Sequence, residues 1–104
     1  MSFPEATLLE EQILIAVDEL ERASGLSIEL ITELVEYGVF EPHGSRPQEW
    51  RFAARSIAVG RTARRLHADF DLAAPGLAVA LSLLERIESL EREVRMLQAQ
   101  ALRG

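Results

Sequence analysis

The sequence predicts an all-α fold, a winged helix-turn-helix followed by a long C-terminal coiled-coil helix. Three observations carry this. Two short helical patterns flank Gly25-Leu26-Ser27, and the second is closed by Gly38, as two helices about a tight turn require. A loop holding Pro42, Gly44, Ser45 and Pro47 leads into Trp50-Arg51-Phe52, which sets two aromatics on one side of an extended segment. From Pro75 almost to the C-terminus, apolar residues recur at alternating spacings of three and four.

The elements follow in order. Leu8 to Val17 leans towards strand through Ile13, Leu14 and Ile15 and ends at Asp18. Asp18 with Glu21 three residues later fits an N-cap and its reciprocal acid, opening a short helix that turns Leu20 and Ala23 inward and stops at Gly25. Ser27 caps the second helix, whose Leu30, Ile31, Leu34 and Val35 form one apolar stripe; Gly38 ends it and Pro42 prevents a restart. The Trp50–Phe52 segment reads as a wing strand, with Trp50 a core anchor rather than a contact residue. A third helix is expected over residues 54–70, burying Ile57, Val59, Ala63, Leu66 and Phe70, with its arginines largely outward. Asp71 to Ala74 is a turn, and Pro75 stands where a helix-starting proline belongs. The chain thus divides into a helix-turn-helix domain with its wing at residues 1–74 and a coiled-coil dimerisation helix at 75–104.

In that last helix Ala80, Leu83, Ile87, Leu90, Val94, Leu97 and Ala101 form an a/d seam, with Glu88–Arg92 and Glu91–Arg95 as i,i+4 pairs outside it. A solvated single helix is the plainer alternative. An unpaired stripe of Leu, Ile and Val is a liability, however, so the seam predicts a homodimer through Leu83, Ile87, Leu90, Val94 and Leu97.

Charge is strongly segregated within the net −6 of the 104 residues. Up to Gln48 the only Lys or Arg residues are Arg22 and Arg46, against ten acids. From Trp50 to Ala68 there are five arginines (Arg51, Arg55, Arg61, Arg64 and Arg65) and no acid. Such polarity speaks about partners. On the second helix Glu29, Glu33 and Glu36 form one acidic stripe opposite the apolar one, with Ile28 and Tyr37 at its two ends. In a DNA-reading helix-turn-helix this face carries Arg, Lys, Asn or Gln towards phosphates and base edges. Three carboxylates there oppose counterion release. A lone glutamate would be a solvated surface group; three on one face predict a protein-recognition surface. The arginines of the third helix point the other way, towards phosphate. The plainer account, and the one preferred, is that they neutralise the acidic half, within the chain or across the dimer, and keep their stems on apolar surface.

Chemistry has little to stand on. Without cysteine there is no disulfide, thiolate or Cys-based metal site. His43 and His67 are far apart in sequence, and no phosphate loop, activated nucleophile or carboxylate pair is visible. No catalytic residue, metal or cofactor is expected. Nor is a signal peptide expected, since Glu5 stands where a basic segment should, and the apolar run Leu77–Leu84 is too short to span a bilayer. The expected compartment is the cytoplasm.

Several words in the sequence are more specific than the element order. Gly25-Leu26-Ser27, Gly38-Val39-Phe40-Glu41-Pro42, Trp50-Arg51-Phe52 and above all Leu72-Ala73-Ala74-Pro75-Gly76-Leu77-Ala78-Val79-Ala80-Leu81 resemble the chaperone modulators of the CbpM family, whose architecture is MerR-like. The resemblance runs from about Val17 to the C-terminus. One departure is Ala53-Ala54, where relatives tend to carry Asp, which leaves the third helix without an evident N-cap. The resemblance implies a cytoplasmic bacterial protein that binds the J-domain of a DnaJ-like co-chaperone, CbpA, restraining its work with the Hsp70 partner DnaK and its DNA binding. It also implies a basic second J-domain helix as the counterpart of the acidic face. A MerR-like DNA-binding transcriptional regulator using the wing and third-helix arginines is the alternative function. A dimerisation module for some other protein is the third.

Overall fold

The structure, a computed structural model, describes residues 12–104; the expected strand residues Leu8–Glu11 lie outside them. A first strand, β1 (Leu14–Ala16), runs straight into helix α1 (Val17–Ser24). Helix α2 (Ile28–Glu36) follows, then a loop with a single 3-10 turn at Pro47–Glu49, then strand β2 (Arg51–Ala53). Helices α3 (Ser56–Phe70) and α4 (Ala74–Arg103) complete the chain. The wing is a small antiparallel ribbon, Leu14 opposite Ala53, Ile15 opposite Phe52 and Ala16 opposite Arg51. His43 extends it by exchanging backbone hydrogen bonds with Arg51 at 2.7 and 2.9 Å.

Local signals explain most element ends. Ser27 Oγ accepts the Leu30 amide at 3.1 Å, so α2 starts where its hydroxyl can satisfy an otherwise orphaned N–H. At the other end Gly38 adopts φ 79°, with its amide on the Val35 carbonyl and that of Val39 on the Leu34 carbonyl. This double closure needs the left-handed residue that glycine supplies without strain. Helix α4 starts at Ala74 with Pro75 in its first turn.

Helix α1 is capped differently from the sequence expectation. Because it leaves β1 without a turn, Ala16 is its N-cap, and the Glu19 carboxylate reaches back to the Ala16 amide at 3.5 Å. Asp18 lies in the first turn, paired to Arg22 at 3.4 Å, and Glu21 takes no part in the cap. Helix α3 likewise begins without a side-chain cap, from Arg55.

The core is one cluster of Ile15, Leu20, Leu26, Ile31, Leu34, Phe40, Phe52, Ala63, Ala74 and Leu77. Phe52 is fully buried, with Phe40 and Trp50 edge-on to it at ring distances of 6.0 Å, so half-buried Trp50 acts as the expected anchor. Ser24, not Ala23, is the second buried residue of α1. Its hydroxyl donates to the Leu20 carbonyl at 2.6 Å and accepts the Leu26 amide at 3.2 Å, so its burial leaves nothing unsatisfied. Gly60 lies against it: a Cβ there would stand 2.7 Å from Ser24 Cβ, so α1 and α3 approach closely only because Gly60 has none. Phe70 departs from its expected burial. It shares the inward period of Ala63, but it ends α3 at the left-handed Asp71, beyond the elements that pack on that helix, and is exposed.

Helices α2 and α3 each pack on α1 and on the first turns of α4, where Ala74 and Leu77 enter the core. The rest of α4 projects. Its 30 residues are about 45 Å long at 1.5 Å per residue, and they set the 53 Å long axis of the molecule.

Candidate partner-binding site

The face proposed from sequence is a continuous surface. Ile31 and Leu34 anchor α2 in the core, which turns Glu29, Glu33 and Glu36 outward together. Ile28 and Tyr37 flank them, 41% and 52% exposed. None of the three carboxylates forms an ion pair among the described residues, where the pairs are Arg22–Asp18 and Arg46–Glu49. The helix therefore presents a band of negative charge with an apolar residue near each end. That geometry suits a basic amphipathic surface, charge setting approach and orientation while Ile28 and Tyr37 give apolar contact.

The arginines occupy a different element. Arg61 Nε donates to the Ala23 carbonyl at 3.1 Å, closing the C-terminal end of α1 with a cation, where the helix dipole favours one. Arg64 lies over Gly25, whose missing Cβ gives the stem its place. Arg61, Arg64 and Arg65 line a groove of about 460 Å³ floored by Ser24, Ala58 and Thr62. No sequence signal marked this groove, since it depends on the close approach at Gly60. Within the chain, Arg61, Arg64 and Arg65 form no ion pair among the described residues. On the wing, exposed Arg51 donates to the Trp50 carbonyl at 3.0 Å.

Along α4 the seam residues Leu83, Ile87, Leu90, Val94 and Leu97 are 42–58% exposed and lie on one side, with a shallow apolar depression of about 350 Å³ around Ile87, Leu90 and Val94. The expected pairs Glu88–Arg92 and Glu91–Arg95 do not close. In open water the entropy of fixing two long side chains offsets the small gain. Among the described residues no three His, Asp or Glu side chains gather as metal ligands, and His67 Nδ1 donates to the Leu72 carbonyl at 2.8 Å. No helix among them is long and apolar enough to cross a membrane.

Comparison with known proteins agrees with this architecture. The family model described as MerR HTH family regulatory protein matches residues 15–99, from β1 far into α4, so the long helix is part of the family pattern. Chaperone modulatory protein CbpM of Coxiella burnetii is 36% identical over 91 residues, covering 88% of this chain and 86% of that protein. The CbpM proteins of Pseudomonas putida strain W619 and Pseudomonas entomophila are 36% and 38% identical over 73 residues, 70% of this chain and 72% of theirs. With the turn, wing and long helix in the order the match requires, the chain belongs to the CbpM family of chaperone modulatory proteins, within the MerR helix-turn-helix group.

Proposed function

We propose that the protein is a non-enzymatic modulator of a CbpA-type, DnaJ-like co-chaperone, and that it holds the co-chaperone's J-domain against the outer face of α2. One observation carries the reading: in a chain of this family, the helix that would read DNA presents Glu29, Glu33 and Glu36 to solvent together, flanked by exposed Ile28 and Tyr37. A basic J-domain helix laid on that band would be unable to dock on the Hsp70 partner DnaK, so inhibition would be competitive. The working unit is a homodimer paired along α4, which would cover the exposed seam.

Titration of a labelled CbpA-type J-domain with wild type and with the Glu29→Lys, Glu33→Lys, Glu36→Lys variant tests the site. Binding should be abolished in the variant while circular dichroism and melting barely change, because exposed helix positions accept Lys as readily as Glu. Equal affinity would refute the acidic face, and no binding by wild type would refute the co-chaperone reading.

The family model's regulatory description and the outward arginines of α3 favour a second reading, a DNA-binding regulator. A footprint on a defined operator at physiological salt would establish it in place of the first.

A further inference from the structure

We propose that the groove between the end of α1 and the face of α3 is a second docking surface, and that it takes an acidic protein segment through paired carboxylates on Arg61, Arg64 and Arg65. The inference rests on what the three guanidiniums lack. Arg61 spends only its Nε, on the Ala23 carbonyl, and Arg64 and Arg65 make no hydrogen bond or ion pair among the described residues. No acid occurs between Trp50 and Ala68 to answer them. At the helix end beneath, the Gly25 amide holds the Glu21 carbonyl and Arg61 holds that of Ala23. The three exposed arginines line a groove together with the small side chains of Ser24, Ala58 and Thr62.

Planar guanidinium forks match carboxylates two bonds at a time, which favours this use over a diffuse cation patch. Duplex DNA fits less well. A groove of about 460 Å³ with three forks offers few phosphate contacts, and a molecule of net charge −6 that is 21 Å across its shortest dimension repels a polyanion at close range. A short acidic segment needs only the local charge, and no residue of α2 lines the groove.

Fluorescence anisotropy at physiological ionic strength, about 0.15 M, can decide this with a labelled dodecapeptide of alternating Glu and Ser, its Gln counterpart and a random-sequence duplex. Wild type should bind the Glu peptide and neither of the others. Arg64→Glu with Arg65→Glu should weaken that binding roughly tenfold or more, and Arg64→Lys with Arg65→Lys should weaken it several-fold, because charge survives while the fork is lost. If the double Glu variant unfolds because Arg64 packs over Gly25, Arg65→Glu alone, at an exposed position, should still weaken binding several-fold. The Glu29→Lys, Glu33→Lys, Glu36→Lys variant should bind the peptide as wild type does, which separates this groove from the J-domain reading. Equal binding of the Gln peptide or the duplex, no binding by wild type, or a change in oligomeric mass in the double Glu variant would each overturn the proposal, the last by showing that a second copy fills the groove.

Discussion

At the scale of single residues, Gly60 and Ser27 show how differently two small side chains hold one fold. Gly60→Ala would gain about 1 kcal/mol in helix propensity. It would also drive a methyl into Ser24 Cβ at 2.7 Å, against a side chain already fixed by two hydrogen bonds. Overpacking of this kind costs about 1–3 kcal/mol, so the clash wins. The expected result is a melting temperature lowered by several degrees, at about 4–8 °C per kcal/mol for a domain of this size. Ser27→Ala removes only the cap of α2 and should cost about 1 kcal/mol, measured by denaturant midpoint. Ser27 and Gly38 were legible in the sequence because their partners lie within four residues. The cap that Arg61 places on α1 was not, since Ala23 is 38 residues away and only the packed helices bring the two together.

Among the elements, α4 gives the sharpest expectation. Leu90→Glu with Val94→Glu alters two exposed seam positions far from Leu77, the last core residue of the helix. The fold of the helix-turn-helix should therefore survive while the dimer is lost. Light scattering should report a wild-type dimer and a monomeric variant at tens of micromolar, where a dimer of micromolar or tighter affinity stays paired. A wild type already monomeric at that concentration would refute pairing along this seam. Periodicity revealed this helix and α2 because it records which side chains share a face. It misled at Phe70, where the period continues past the elements that pack on α3, and at Asp18, where a good capping residue follows a helix that has already begun at Val17. Pattern states which face could be buried, whereas burial also needs a neighbour.

For the whole molecule, the separation of acidic α2 from basic α3 makes salt the informative variable. J-domain binding should weaken as ionic strength rises, with the loss mainly in association rate, since exposed charges steer encounter. Apolar contact by Ile28 and Tyr37 would supply the salt-independent remainder. Duplex DNA should bind weakly and be released by physiological salt, because few phosphates are neutralised. Gel shifts across a salt series check this. The acidic face was legible because exposure on α2 follows from the positions of Ile31 and Leu34 in the core. The arginine groove was not legible, because it forms only where Ser24 at the end of α1 meets α3.

The projection of α4 has a consequence for how much of the protein is helical at all. Only its first turns are anchored in the core, and the remainder lacks the packing of an amphipathic face that supplies most of a helix's stability in proteins. Pairing would stabilise that remainder through mass action, so the degree of order in the distal helix would follow protein concentration. Dilution below the dimer's dissociation constant should then lower the far-ultraviolet helix signal per residue while the environment of buried Phe52 and its neighbour Trp50 stays unchanged. A cell would hold, in the fraying end of this one helix, a record of how many copies it has made.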